Sequence, residues 1–439
     1  MLLEKGPAIG GSARYAGFVW TAPTVDVMRR QNPEGDRELG AALVEGLEPA
    51  LTWIRSLGVE VGPAVDVLDF GRGHAVDLAG MMMRCERIVR EDRGSELLVS
   101  ATADRLLIEH GEVVGAVIRA RGGESRTVRA SHTLLATGGF GGDPDLRERL
   151  IHPNARHIAL RANRHSTGDG LRLGLAAGAA YGRNRAGFYG HVVAAHVPFD
   201  DPTEFVNRTF YHSEHGVLLN LHGTRFCDET IGDHITPLAL VEQPEARALL
   251  IYDQRVHEDW ELRPYVEGVE PVNKFQLAYR AGARCAIAES LDEFGELPEE
   301  WGYPGPAALE SLVEFNRQCK RGTPAPPRSK DATPMLDPPY YVIEVVPAIT
   351  FSFGGLLIDS RARVLRTDGA PVPGLLAAGA DSGGVFHRAY AGGLANALVF
   401  GLRAVDTALP EGPAQGVFDG CARASSGRAP EHASVYGQY

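Results

Sequence analysis

At 439 residues the chain is long enough for one large or two ordinary domains, and 44% hydrophobic with 8% aromatic residues is a globular composition rather than a disordered one. A formal charge of −12, from 56 acidic against 44 basic residues with no long basic run, argues against nucleic acid or an anionic membrane as partner and leaves room for a local arginine cluster around a small anion. Cys85, Cys227, Cys285, Cys319 and Cys421 are scattered and never in C-x-x-C spacing, which predicts free thiols rather than disulfides or a metal site, and with no signal-peptide pattern and no apolar run near the ~18 residues of a membrane span, a soluble cytoplasmic protein is expected.

The first elements read as α/β. An apolar strand, Leu2-Leu3, runs into Glu4, and Lys5-Gly6-Pro7 leads to Gly10-Gly11-Ser12. In a doubly wound fold an acidic residue at the end of the second strand accepts hydrogen bonds from ribose hydroxyls, about 20 residues after a glycine fingerprint. No such fingerprint precedes Glu4, and the first strand of such a sheet is central and covered on both faces. The chain is therefore expected to start late, by about 30 residues, the size of a βαβ unit.

Next, "ELGAALVEGLEPALTWIRSLGV" carries apolar residues every three to four positions and predicts a helix. "LLVSATADRLLIEHGEVVGAVIRA" alternates around a His-Gly-Glu turn and predicts a strand meander; "SHTLLATGGF" predicts a short buried strand stopped by glycines. Thr167-Gly168-Asp169-Gly170 predicts a turn opening a small-residue helix. From 187 to 349 histidines, aromatics and prolines rise and regular alternation is lost, as in an inserted cap domain. Its exit, "GTPAPPRSKDATPMLDPPYY", should be irregular. Strands follow, with a hairpin turn at Asp368-Gly369, and then a helix carrying Leu394, Leu398, Leu402, Val405 and Leu409 on one stripe. The tail 411–439 reads as peripheral.

Several of these stretches occur together in one known family. "LEKGPAIGGS", "LLATGGF", "STGDG", "GVLLNLHGTRFCDE", "FSFGG" and "PGLLAAGADSGGVFHRAYAGGLANALVFG" resemble, in order, landmarks of the fumarate reductase and succinate dehydrogenase flavoprotein superfamily. The resemblance implies an α/β fold: a Rossmann-like FAD-binding domain over 1–186 and 350–410, lacking its first βα unit, with an α+β cap over 187–349. It implies FAD held by Glu4, Lys5, Gly10, Gly11, Ser12, Ala103, Gly138, Gly139, Asp169, Asp381, Ala395 and Asn396. It further implies chemistry at a carbon–carbon bond beside a carbonyl or carboxyl group, with an electron acceptor or donor left unidentified. Independently of the family, a strand ending at Asp381 and a helix opening at Gly392-Gly393 aim free N–H groups and a positive dipole end at whatever lies above the strand.

The departures from the family pattern narrow the chemistry. Asp233, with His234 beside it, stands where the resemblance implies a proton-donating arginine, Phe351 where it implies a histidine, and Tyr390 where it implies a carboxylate-clamping arginine. A dicarboxylate, whose charges need paired cations, is not the expected substrate. Tyr390-Ala391-Gly392-Gly393 is instead similar to ketosteroid dehydrogenases, where a tyrosine hydroxyl and a glycine N–H hold a substrate ketone. Tyr390 is thus the first catalytic candidate and Gly393 its partner. The base should come from the cap, from Tyr211, His212 or His234. Arg388 either clamps a single carboxylate or is solvated, and Arg225 is expected to anchor its loop to Asp228 or Glu229. The competing reading is a flavin-free relative acting as a binding or scaffold protein.

Overall fold

Asp36 opens the longest helix, Arg37–Ser56, by accepting from the N–H groups of Glu38 and Leu39, as a capping aspartate does. The computed structural model describes residues 1–182, 186–264 and 270–409; the expected tail 411–439 and Cys421 lie outside them. The meander forms as the alternation predicts: Thr102–Glu109, Glu112–Arg119 and Ser125–Arg129 pair antiparallel. Its first turn places His110 and Gly111 at φ 50° and 81°, the two positive dihedrals that a two-residue hairpin requires. Leu2–Glu4 lies parallel to Leu97–Val99, and Thr133–Leu135 parallel to Pro371–Ala377, which folds back on Arg363–Leu365 around Asp368-Gly369. Among the described residues, Leu2–Glu4 and Thr133–Leu135 are each paired along one edge only, leaving Leu2 and Leu134 exposed.

The helix Gly393–Ala408 also forms, but it buries a different face from the expected leucine stripe. Ala395, Asn396, Val399, Phe400 and Ala404 are buried, whereas Leu394, Leu398 and Leu402 are half-buried, and Val405 and Leu409 are 47% and 58% exposed. That face is chosen by the neighbouring helix Arg37–Ser56, which comes close at its Gly46: a Cβ there would lie 2.5 Å from Val399.

The second half of the molecule is organised by a 13-residue strand, Tyr340–Ser352, the spine of a six-stranded sheet. Its first half pairs with Ala248–Asp253 and Cys285–Ala288, its second half with Phe188–Ala194 and Ala159–Leu160. The expected domain boundary at 349/350 thus falls inside one unbroken strand. Side chains alternate between two cores, as period two demands. Val217, Leu219, Leu249, Ile251, Tyr340 and Val342 pack against the helix Gly305–Arg321 through Leu312 and Phe315, and Leu218, Leu250, Tyr252, Tyr341, Ile343 and Val345 pack on the side of Phe275 and Ala278. Residues 323–339 are irregular, as the prolines predict. No helix among the described residues is long and apolar enough to cross a membrane.

Glu344, on this strand, is fully buried and accepts from Arg247 Nε at 2.6 Å, His196 Nε2 at 3.0 Å, Arg284 Nη1 at 3.1 Å and Tyr303 Oη at 3.2 Å. Removing its charge takes the carboxylate from Arg284 and leaves Arg247 with Glu245 as its remaining carboxylate partner. Glu344→Gln should therefore lower the unfolding free energy by about 3 kcal/mol, the lower end for breaking a buried ion pair. A urea titration reads this directly, and a loss below about 1 kcal/mol would mean that the arginines regain solvent instead.

Candidate active site

Tyr390 is held by a clamped loop. Asn32, buried, accepts through Oδ1 from the N–H groups of His387, Arg388 and Ala389 at 2.8, 3.2 and 3.2 Å, and Thr21 Oγ1 donates to Ala391 C=O at 2.9 Å. A Cβ on Gly392 would lie 1.7 Å from the Trp20 carbonyl oxygen, and Gly392 sits at φ 92°, so only glycine fits this closing turn. The Tyr390 ring is packed by Trp20, Phe351, Phe386 and, face to face, Tyr189 at 3.9 Å between centroids and 12° between planes. Burial pushes its hydroxyl up to about 12, and the neighbouring Gly393 N–H, at the start of the helix, opposes that rise. Gly393 lies against the Tyr390 hydroxyl.

Around this ring stand residues from four other segments. His191, two positions along the same strand face as Tyr189, meets the Tyr189 hydroxyl at Nε2 (3.0 Å) and Asp233 Oδ2 at Nδ1 (2.5 Å). Burial pushes the imidazole down to about 4, despite the Asp233 charge. Burial would raise Asp233 in turn, but the rings of His191 and His234 hold it below the usual carboxylate range. The pair is a neutral imidazole on a carboxylate, which puts the ring proton on Nδ1 and leaves Nε2 an acceptor. Across His191 lies Tyr211, ring centroids 5.2 Å apart, whose hydroxyl accepts from Arg161 Nη2 at 3.0 Å. Arg161 also donates to Thr209 and Thr350, and its charge reaches Tyr211, Tyr390 and His191.

Of the residues expected to hold a dinucleotide, Gly138, Gly139 and Asp381 lie just past the carboxyl ends of Thr133–Leu135 and Pro371–Ala377, where open α/β sheets bind their ligands. Asp381, buried and raised by that burial, accepts from the N–H groups of Thr137 and Gly139 and from Thr137 Oγ1. It lies against Gly170, where a Cβ would come within 2.5 Å. Lys5 Nζ reaches Asp169 at 2.8 Å, and Ser12 Oγ accepts from Asn163 N–H. Glu4 ends its strand with its carboxylate on the Gly6 N–H; its carbonyl accepts from Ala101, two residues before Ala103. Gly10, Gly11, Gly138 and Gly139 all take positive φ. The 16-residue helix Gly393–Ala408 has no side-chain cap, Ala395 and Asn396 are buried in its first turn, and Asn396 Oδ1 and Ser352 Oγ are buried with no hydrogen-bond partner. An uncapped N-terminus with unsatisfied polar atoms beside it, and a carboxylate at a strand end, fit a flavin pyrimidine edge and an adenosine ribose.

A sequence profile described as FAD binding domain matches residues 21–396. The chain belongs to that family. It is similar to the vinyl phenol reductase of Lactiplantibacillus plantarum, 25% identical over 435 residues that cover 89% of this chain and 86% of the relative. It is similar also to the urocanate reductase of Eggerthella lenta, 24% identical, covering 87% and 66%. Its fold resembles the crystal structure of 3-ketosteroid delta1-dehydrogenase from Sterolibacterium denitrificans, with a TM-score of 0.74 at 17% identity, covering 93% of this chain and 94% of that one. The protein is an FAD-dependent oxidoreductase, and the scaffold reading gives way to it.

Within this flavoprotein the expected catalytic residues separate. Tyr390 and Tyr211 come together around Tyr189 and His191, and His234 lies nearby, 6.5 Å from the Tyr189 ring. His212 does not join them. It follows Tyr211 in the 3-10 helix Tyr211–His215, where successive side chains diverge by about a third of a turn, and it points into the cap against Tyr252. Arg388 is exposed, its place fixed through its backbone N–H rather than its guanidinium. Arg225 does anchor its loop, pairing with Glu229 at 2.6 Å. Sequence reasoning missed Tyr189, His191 and Arg161; the alternation in "FYGHVVA" puts the first two on one strand face, while Arg161 carries no such signal.

His212 has both ring nitrogens buried and without hydrogen-bond partners, and burial pushes it down to about 4 amid Glu261, Lys274, His215 and His257. Because the folded ring resists protonation, its contribution to stability is complete above the unfolded value near 6.5 and is lost as pH falls from there to about 4, on the order of 3 kcal/mol. His212→Phe should flatten the stability curve by about one proton across that window. Denaturant midpoints from pH 4 to 7 test it, and an unchanged slope would place the proton uptake elsewhere.

Proposed function

We propose that this flavoprotein dehydrogenates, or in reverse reduces, a carbon–carbon bond next to a ketone or a single carboxylate, with the Tyr390 hydroxyl donating to the carbonyl oxygen. The observation that carries the reading is the Tyr390 phenol packed against Gly393, the first residue of an uncapped helix. The positive end of that helix favours negative charge on the phenol oxygen and so strengthens its proton as a donor, and the surrounding rings exclude water from the bond it makes. Polarising the carbonyl acidifies the adjacent C–H in one direction and makes the conjugated carbon electrophilic in the other. When bound, FAD supplies hydride exchange at N5.

Arg161 adds positive charge on the same side and suits one carboxylate or an enolate. A second carboxylate would need a second cation, and Phe351, Tyr390 and the exposed Arg388 do not supply it. A substrate smaller than a steroid fits the reading equally, since the named relatives include reductases of a vinyl phenol and of urocanate. The four cysteines among the described residues are free, which supports a cytoplasmic setting.

The test is turnover of enones and aryl acrylates by the flavin-loaded protein, with reduced methyl viologen as donor. Tyr390→Phe should cut kcat about 100-fold or more, as loss of one oxyanion donor does, with the flavin absorbance unchanged. Turnover unaffected by the substitution would remove Tyr390 from the mechanism.

A further inference from the structure

The strand Phe188–Ala194 contributes more than packing. Tyr189 lies stacked on Tyr390, its hydroxyl meets His191 Nε2, and His191 Nδ1 meets Asp233, so three side chains run in a hydrogen-bonded line from the candidate carbonyl site into the buried interior. We propose that Tyr189 is the residue that takes and gives the proton at the carbon next to the carbonyl, and that His191 and Asp233 are positioning residues forming the relay behind it. The proposal rests on the reading that Tyr390 holds the carbonyl. The rings stack 3.9 Å apart, so both phenols belong to one site.

The step balances without a further reagent. In the dehydrogenating direction the C–H bond breaks and its proton goes to the Tyr189 oxygen, while the proton already on Tyr189 moves to Nε2 of His191. The C–H electron pair stays on the substrate as an enolate, whose oxygen Tyr390 holds. The imidazolium that forms is neutralised by the Asp233 carboxylate. Reduction reverses each transfer: Nε2 returns its proton to Tyr189, and Tyr189 delivers one to carbon. The hydride, exchanged with FAD at the neighbouring carbon, is a separate transfer.

The resting protonation suits this role. A phenol alone is a poor base at neutral pH, and it becomes an adequate one when an acceptor stands behind its proton. Burial keeps His191 neutral, so Nε2 is that acceptor, and the groups facing it set its state: Asp233 and His234 from the 232–235 turn, Arg161 after the strand Ala159–Leu160, Tyr211 from its 3-10 helix and Tyr189 from its own strand. Asp233 stays charged in the free protein and fixes the tautomer. The residue that departs from the family pattern at position 233 thus reaches the proton-transfer site through a histidine.

The experiment uses the flavin-loaded protein and whichever enone the wild type reduces, run in D2O, with deuterium at the α carbon of the product read by NMR. Tyr189→Phe and Asp233→Asn should each lower kcat/KM about 100-fold or more, the weight of a general acid, with flavin absorbance retained. Asp233→Asn has a second readout. An amide N–H donating to Nδ1 moves the ring proton to Nε2, so 15N spectra should show His191 change from the Nδ1–H to the Nε2–H tautomer, the signal being assigned by its loss in His191→Gln. Replacing Tyr189 by 3,5-difluorotyrosine, which keeps the ring and lowers the phenol pKa, should shift the pH profile of kcat/KM to lower pH even if the Phe variant folds poorly. An unshifted profile, or full activity in Tyr189→Phe while Tyr390→Phe is impaired, overturns the relay and leaves the proposed function standing. A wild type that turns over no enone or acrylate overturns both.

Discussion

The antiparallel pairing of Phe188–Ala194 with Tyr340–Ser352 is the contact on which the site depends. Between Tyr189 and Gly190 the register slips: Tyr189 faces Phe351 but Gly190 faces Ile349, so Thr350 is the extra residue of a bulge. Its hydroxyl thereby receives Arg161, and Arg161 in turn holds the Tyr211 hydroxyl. The slip is possible because residue 190 has no side chain, a Cβ there lying only 2.1 Å from the Ala348 carbonyl oxygen. The other end of the same strand is locked between the two cores of the six-stranded sheet, so the position of Phe351 and Thr350 is set by burial many residues away.

Charge burial follows one rule throughout the molecule. Each deeply buried carboxylate is surrounded by donors: Glu344 by two arginines, a histidine and a tyrosine, Glu261 by His257, Tyr252 and the Phe275 N–H, and Asp233 by His191 and His234. Without them, desolvation would force these groups neutral. In Glu344 and Glu261 the arrangement ties cap elements together. At Asp233 the same physics yields a different property, because the histidine it fixes has its second nitrogen on a tyrosine hydroxyl at the candidate site.

Local pattern made much of the fold legible. The meander, the Asp368-Gly369 hairpin, the long helix capped by Asp36 and the irregular proline segment each follow from residues within a few positions of one another. Tyr390 was picked out only through the resemblance of Tyr390-Ala391-Gly392-Gly393 to a known family, not through any local pattern. The leucine stripe of Gly393–Ala408 misled, since periodicity reports an apolar face but not which neighbour comes close enough to need alanine and glycine. The direction of His212 misled for a related reason: adjacent residues on a tight helix serve different cavities, and only the packed cap decides which.

By itself the sequence determined the class of protein. Glu4 at a strand end, the glycine pairs at 138–139 and 392–393, and Asp381 before its helix belong to stretches whose order resembles one flavoprotein superfamily, and such an order survives in the chain whatever the packing. Tertiary structure alone decided which side chains meet at the candidate site. Tyr189, Arg161, Asp233 and Tyr390 lie far apart in the chain and carry no shared period. They meet because a bulged strand, a clamped loop and a cap turn pack against one another, and such packing is fixed by the whole core rather than by any local run of residues.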